Sequence, residues 1–423
     1  MSEHDHDTGF VAPPPMAEVG AEPPHLFANR PFVWLVIAEG ISGTALWGYF
    51  LGIMGDAAYR FDATPGQFGF LLACFSLTFI PSAPAFGTLA DRWSPKLMLI
   101  VASIAFMGPI ALAFLADSLG PLFVSMALVG LIEGVIWPAR GALIPRLVER
   151  DRLVQANGMI GAARELPMII GPAAGGLLTA VWGSGAPYVL SAGLLATSLI
   201  FYAFVPDRRV ERHSDTSFLR DLAAGLRAGM RVPILRVLFV LGFSVMLLFG
   251  FLQTLEPALV RSVLERGQDS LGFLWSVQGA GAFLASLGLI RLRRAVGAEV
   301  VVIASGIVVA GVGVFLYAGL GSVAFAWAVA GALISGMGFA LFFATGQALI
   351  QRISDAPGKV SAVFIVIGEI GPLIAALGIG VMGRLDVQRW LVVSSVLFLV
   401  IGLGAFLATR RPAFLIEEAS AGR

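Results

Sequence analysis

In this chain of 423 residues, 57% are hydrophobic and only 13% charged. A soluble domain carries about 25% charged residues, and the mean hydropathy of +0.87 points instead to a polytopic membrane protein. The formal net charge of +1 excludes a nucleic-acid partner held by bulk charge.

Residues 1–30 are rich in Pro, Glu and Asp, with no apolar core and no basic start. They read as a disordered cytoplasmic tail rather than a secretory signal peptide, and His4 and His6 read as part of that polar tail rather than as a metal site. Apolar runs follow at about 32–57, 66–90, 97–116, 121–144, 155–181 and 185–205, then at 234–259, 270–290, 299–319, 322–350, 361–383 and 389–408. Each approaches or exceeds the roughly 20 residues of a spanning helix, so about twelve transmembrane helices are predicted. The longest polar break, 206–232, splits the chain into six-helix bundles over 31–205 and 233–410, with 411–423 as a second cytoplasmic tail. Part of that break, Leu219 to Arg227, is amphipathic and suits a helix on the membrane surface.

Lysine and arginine favour one side. With the N-terminus inside, the inner segments hold Arg30, Lys96, Arg146, Arg150, Arg152, Arg208, Arg209, Arg352 and Lys359 among others, while the outer ones hold only Arg60, Arg261, Arg266, Arg384 and Arg389. This asymmetry predicts that both termini are cytoplasmic. The halves also repeat. Ala142-Leu-Ile-Pro-Arg146 and Ala348-Leu-Ile-Gln-Arg352 each end the fourth run of their half, and each fifth run carries a Gly-Pro pair, Gly171-Pro172 and Gly371-Pro372.

Charge inside a membrane is expensive and defaults to function. Glu133 lies near the middle of the fourth run, with Trp137 and Arg140 following at i+4 and i+7 on one helical face. Glu39 lies in the first run, Arg164 and Glu165 in the fifth, and Glu369 in the eleventh. Static ion pairs such as Glu133–Arg164 or Glu165–Arg140 are one account of them. Proton coupling is the other: it needs a carboxylate that gains and loses its proton, and no histidine lies in a predicted span. On that account Glu133 and Glu165, modulated by Arg140 and Arg164, form the switch, with Glu39 as the alternative. The single cysteine, Cys74, can form no internal disulfide and reads as a small buried side chain.

The polar stretch Gly87-Thr-Leu-Ala-Asp91-Arg92-Trp-Ser-Pro-Lys96, read as a charged turn between the second and third runs, resembles the signature between helices 2 and 3 of the major facilitator superfamily. Ser94 and Pro95 depart from its usual Gly-Arg. The fifth run, with Gly158, Pro167, Gly171, Pro172, Gly175 and Gly176, is similar to the superfamily's antiporter signature, with Pro167 replacing a glycine. Small residues there would let the fifth and eighth spans pack closely. The run from Trp137 to Gly158 resembles the branch holding the enterobactin exporter and the macrolide and Tap-type multidrug efflux proteins.

The resemblance implies an all-α membrane protein with two pseudo-symmetric six-helix bundles, acting as a proton-driven exporter of bulky organic molecules, drug-like or siderophore-like. It implies a conformational gate at Gly87, Asp91, Arg92, Lys96, Gly171, Pro172, Gly175 and Gly176. It also implies that spans 1, 4, 7 and 10 line the cavity, and those spans carry Trp47, Tyr49, Glu133, Trp137, Gln253, Glu256, Phe342, Phe343 and Gln347. Glu256 lies near the outer end of its span and is expected to be solvated, and Phe249-Gly-Phe251 to be plain helix surface. Arg140 matches the helix-4 arginine of the family. The expected partners are a small organic substrate, protons and the lipid bilayer of the bacterial cytoplasmic membrane, with the chain a monomer. A metabolite importer or facilitator of the same fold and a non-transporting assembly or sensor protein are the alternative readings. No Walker motif, His-Glu-x-x-His or Cys/His cluster is present, so no enzyme activity, cofactor or metal is expected.

Overall fold

The computed structural model of the chain describes residues 28–149, 153–207, 218–291, 298–382 and 386–409, and these are helical apart from short turns. Twelve of the helices are long and apolar enough to cross a membrane. The first six spans are α1 (Arg30–Gly55, extended by a π-helical turn at Asp56–Arg60), α2 (Pro65–Arg92), α3 (Pro95–Phe114), α4 (Leu119–Leu147), α5 (Leu153–Trp182) and α6 (Ala186–Phe204). A surface helix follows, α7 (Phe218–Arg231). The remaining spans are α8 (Pro233–Ser262), α9 (Gln268–Arg291), α10 (Ala298–Phe315, with a π-helical turn at Leu316–Leu320), α11 (Phe325–Ile353), α12 (Pro357–Met382) and α13 (Val387–Thr409). Of the two expected tails, residues 1–27 of the first, 1–30, and all of the second, 411–423, lie outside the described residues.

Local chemistry sets the helix starts. The Asn29 side chain accepts from the Phe32 amide at 3.3 Å and donates to the Leu147 carbonyl at 2.8 Å, so one residue caps α1 and ties it to the end of α4. Ser94 accepts from the Leu97 amide at 3.1 Å, and Pro95 occupies the first position of α3, where the missing N–H has no partner to lose. The signature stretch differs from the expected turn: residues 87–92 continue α2 to Arg92, and only Trp93 and Ser94 lie between the helices. The side chains of Gly87 to Arg92 lie outside the described residues. Lys96 donates its ammonium to the Ala203 carbonyl at 2.8 Å and so fastens α3 to the end of α6.

The pairing of helices repeats. In the first half α2 packs on α4, α1 on α5 and α6, and α3 on α4 and α6. In the second half α9 packs on α11, α8 on α12 and α13, and α10 on α11 and α13. Each pairing in one bundle has its counterpart in the other, as parallel six-helix repeats require. The bundles meet along two related seams, α5 on α9 and α2 on α12. Both seams are built on glycine, because without a hydrophobic effect between helices in lipid, close backbone approach must supply the attraction. A Cβ on Gly272 would lie 2.5 Å from the Pro172 carbonyl oxygen, and one on Gly69 would lie 2.7 Å from the Gly380 nitrogen. Large apolar side chains such as Leu115, Leu177, Val181 and Val381 stand exposed on the outside of the bundles, where acyl chains take the place of water.

Candidate functional site

Among the described residues, two cavities bring polar side chains together. The first lies within the amino-terminal bundle and is lined by Glu39, Ser42, Trp47, Glu133, Trp137 and Arg140, with Ser103 and Phe106 from α3. Glu39 is buried, and its carboxylate is held from two sides: Arg140 of α4 forms an ion pair with Oε2, and the Tyr202 hydroxyl of α6 donates to Oε1 at 2.9 Å. Glu133, also buried, shares the cavity with Arg140. The i, i+4, i+7 spacing of Glu133, Trp137 and Arg140 thus brings all three to one wall. Arg140 pairs with Glu39 and not with Glu165, because α1 rather than α5 presents a carboxylate to its face of α4. Glu165 is exposed on α5 and does not line this cavity; the side chain of Arg164 lies outside the described residues. Glu369 is half-buried on α12.

The second cavity lies between the bundles. Trp47, Phe50, Met54, Leu72 and Met168 line it from the amino-terminal half, and Phe249, Gln253, Glu256, Trp275 and Gln278 from the other. Here the structure corrects two expectations. Glu256 is not solvated: it is 3% exposed, accepts a hydrogen bond from the Tyr317 hydroxyl at 2.7 Å and takes a second from Trp275. Since α8 continues for six residues beyond it to Ser262, it sits about 9 Å inside the helix end at 1.5 Å per residue. Phe249 is not plain surface but cavity wall, while Phe251 stacks on Trp390 with centroids 6.2 Å apart. Sequence reasoning missed Trp275 and Gln278 as site residues, and it put Glu256 on a cavity-lining span but expected it to be solvated. The signal for its place was available: Phe249, Gln253 and Glu256 stand at i, i+4 and i+7, on one face of α8.

Of the other residues expected in the cavity, Trp47, Trp137 and Gln253 line one or both of these spaces. Tyr49 does not. It is fully buried inside the first bundle, where its hydroxyl lies 2.7 Å from Ser125 Oγ; because Ser125 gives its own proton to the Pro109 carbonyl at 2.7 Å, Tyr49 is the donor. Phe343 packs against Phe342 and Phe364, and it and Gln347 are half-buried on α11 outside both cavities. In the small-residue patch of α5, Gly176 faces Gly272 of α9, whereas Gly171 and Gly175 face α1 at Gly48 and Leu51. The patch therefore serves the seam between bundles and the packing within one. Gly371 meets Met246 and Leu247 of α8 in the corresponding way.

At the face away from the termini, polar links cross between bundles. Asp62 pairs with Arg261, Tyr59 donates to the Arg266 carbonyl at 2.8 Å, and Gln268 donates to the Leu51 carbonyl at 3.2 Å. No group of three or more His, Cys, Asp or Glu arranged to hold a metal occurs among the described residues.

A family model described as Major Facilitator Superfamily matches residues 35–376. The uncharacterized MFS-type transporter YfiS of Bacillus subtilis (strain 168) is 23% identical over 390 residues, which cover 89% of this chain and 93% of that protein. The multidrug resistance protein MdtG of Citrobacter koseri is 27% identical over 237 residues; the match takes in 54% of this chain and 57% of the relative's length. Among solved structures, the nucleoside transporter NupG superposes with a TM-score of 0.70 at 14% identity, covering 90% of this chain and 98% of that one. A bacterial homologue of the human lysosomal transporter Spinster gives a TM-score of 0.67 at 14% identity, covering 94% and 99%.

Proposed function

The chain belongs to the Major Facilitator Superfamily, and from that premise we propose that it exports a bulky, largely apolar organic molecule, of drug-like or siderophore-like size, in exchange for protons. The observation that carries this reading is the buried pair of Glu39 and Arg140 with Glu133 in the same cavity. Removing a charge from water costs several kcal/mol per ion unless it is paired. A proton bound by Glu39 cancels its attraction for Arg140 and frees the guanidinium to turn to Glu133; loss of the proton restores the first pair. Two carboxylates competing for one arginine thus give the bundle two arrangements, selected by a proton. Tyr202 keeps Glu39 hydrogen-bonded in either state.

Alternating access follows from the two glycine seams. Rocking about α5–α9 and α2–α12 opens the central space to one face and then to the other. In the present arrangement Asp62–Arg261, Tyr59–Arg266 and Gln268–Leu51 hold the face away from the termini together. The lysine and arginine asymmetry supports reading that face as the outer one and both termini as cytoplasmic in a bacterial cell. One chain supplies both bundles and both seams, so the monomer is a complete unit. The partial match to MdtG supports the drug-like end of the substrate range, and the resemblance of residues 137–158 to the enterobactin-exporter branch supports the other.

The test is transport in proteoliposomes carrying an internal pH dye, with the substrate first identified by a drug and siderophore susceptibility panel in an efflux-deficient host. Imposed substrate gradients are expected to drive proton counterflow. Glu39→Gln and Glu133→Gln are each expected to lower gradient-driven efflux at least tenfold. If both variants export as the wild type does, the coupling assignment is wrong. Proton-driven uptake instead of efflux identifies an importer, and no substrate-stimulated proton movement identifies a protein that does not transport.

A further inference from the structure

We infer that the cavity between the bundles binds lipophilic organic cations, and that Glu256 is the group that recognises their charge. The inference rests on the transporter reading above and deepens it by naming the substrate class. Among the residues lining this cavity Glu256 alone is acidic or basic; the others are aromatic, thioether or aliphatic side chains and the amides of Gln253 and Gln278. Its carboxylate is held by neutral donors, the Tyr317 hydroxyl and the Trp275 indole, and no lysine or arginine pairs with it among the described residues. Glu39 is the instructive contrast: it receives the same kind of tyrosine hydrogen bond but is also neutralised by Arg140. A buried carboxylate without a counter-ion is an electrostatic well for a cation and a barrier to an anion.

The walls select which cation. Trp47 and Trp275 meet edge to face with centroids 6.4 Å apart at 80°, and Phe50 and Phe249 flank them. Aromatic faces attract bulky or delocalised cations through the ring quadrupole, tryptophan most strongly. A small hard ion is poorly served here, since it requires about six oxygen ligands and this cavity offers one carboxylate and two amides. Met54 and Met168 can re-pack around guests of different shape. The enclosed space is about 50 Å³, whereas drug-sized ligands occupy sites of about 300–1,000 Å³, so seating such a cation parts Trp47 of one bundle from Glu256 and Trp275 of the other. Binding is thereby linked to the motion of the bundles.

The experiment is calorimetric binding to the purified full chain in nanodiscs without a pH gradient, using tetraphenylphosphonium and tetraphenylborate, ions of matched shape and opposite charge. The wild type is expected to bind the phosphonium at least tenfold more tightly than the borate. Glu256→Gln, which keeps the shape and one acceptor oxygen for the Tyr317 hydroxyl, is expected to abolish that preference. Glu256→Asp should retain it with weaker affinity, and Trp47→Ala should weaken both ions because it removes wall and not charge. Gln253→Lys, which places an ammonium one helical turn from Glu256, provides an independent variant should Glu256→Gln fail to elute as a monodisperse species; it is expected to reverse the preference. Equal binding of the two ions by the wild type, or a wild-type preference in either Glu256→Gln or Gln253→Lys, overturns the assignment. The readout involves no proton movement. An intact phosphonium preference alongside proton-independent efflux would therefore remove the coupling reading and leave this one standing, and the reverse result would remove this one alone.

Discussion

The two bundles pair their helices in the same way, yet the carboxylates that line the two cavities, Glu39 and Glu256, are held differently. In the amino-terminal bundle Glu39 is held by Tyr202 and by the guanidinium of Arg140. In the carboxy-terminal bundle Glu256 is held by Tyr317 and the Trp275 indole, without a cation among the described residues. A charge that brings its own counter-ion can exchange partners when a proton arrives. A charge left without one has its strongest interaction available to a guest. One architecture occurs twice, and under the two proposals above the placement of one arginine divides the labour between the bundles.

The sharpest way to break this contrast is to remove the arginine. Arg140→Met strands Glu39 in the bundle interior, and breaking a buried pair costs about 3–5 kcal/mol. The detergent-solubilised variant should unfold at markedly lower temperature than the wild type, while Glu256→Gln should unfold close to it. Equal behaviour of the two variants would erase the distinction between the bundles. Next in size is the loss of each tyrosine hydroxyl. A hydrogen bond to a charged group is worth about 1.5–3 kcal/mol. Tyr317→Phe should lose most of that range because only Trp275 remains, whereas Tyr202→Phe should lose less because Arg140 still compensates Glu39. Denaturation of the two variants side by side measures the difference.

The seam between the bundles offers a third test. Gly272→Val introduces atoms where even a Cβ would lie 2.5 Å from the Pro172 carbonyl. Overpacking of this kind costs about 1–3 kcal/mol, and the variant should transport more slowly because α5 and α9 can no longer close. Gly288→Ala on the same helix, where a Cβ meets nothing within 4 Å, should transport normally. The smallest effect is expected at the outer link: Asp62 is 80% exposed at its side chain, so Asp62→Asn should change stability by about 0–1 kcal/mol, and raised salt should shrink that difference further.

Depth was legible in the sequence and direction was not. Counting residues from the helix ends placed Glu39 and Glu133 well inside their helices, where both are buried, and the spacing of Glu133, Trp137 and Arg140 set their shared face. The same reasoning misplaced Tyr49, which points into its own bundle, and Glu165, which stands exposed on α5. It also undervalued Glu256, because the apolar run was taken to end before α8 does. Helical periodicity relates residues within a helix. To orient the helix against its neighbours, it needs a polar side facing water, and spans that are apolar all round lack that contrast.

By itself the amino-acid sequence determined the membrane class, the twelve spans, the six-plus-six repeat and the glycine-proline patches. These follow from composition and spacing along the chain, because lipid demands long helices whose backbone groups bond internally. Only the tertiary structure decided which carboxylate Arg140 neutralises, that Glu256 is buried among aromatic rings, and that the two seams join α5 to α9 and α2 to α12. Those facts depend on how helices are rotated and brought together in space, which distant side chains settle jointly and no single stretch encodes.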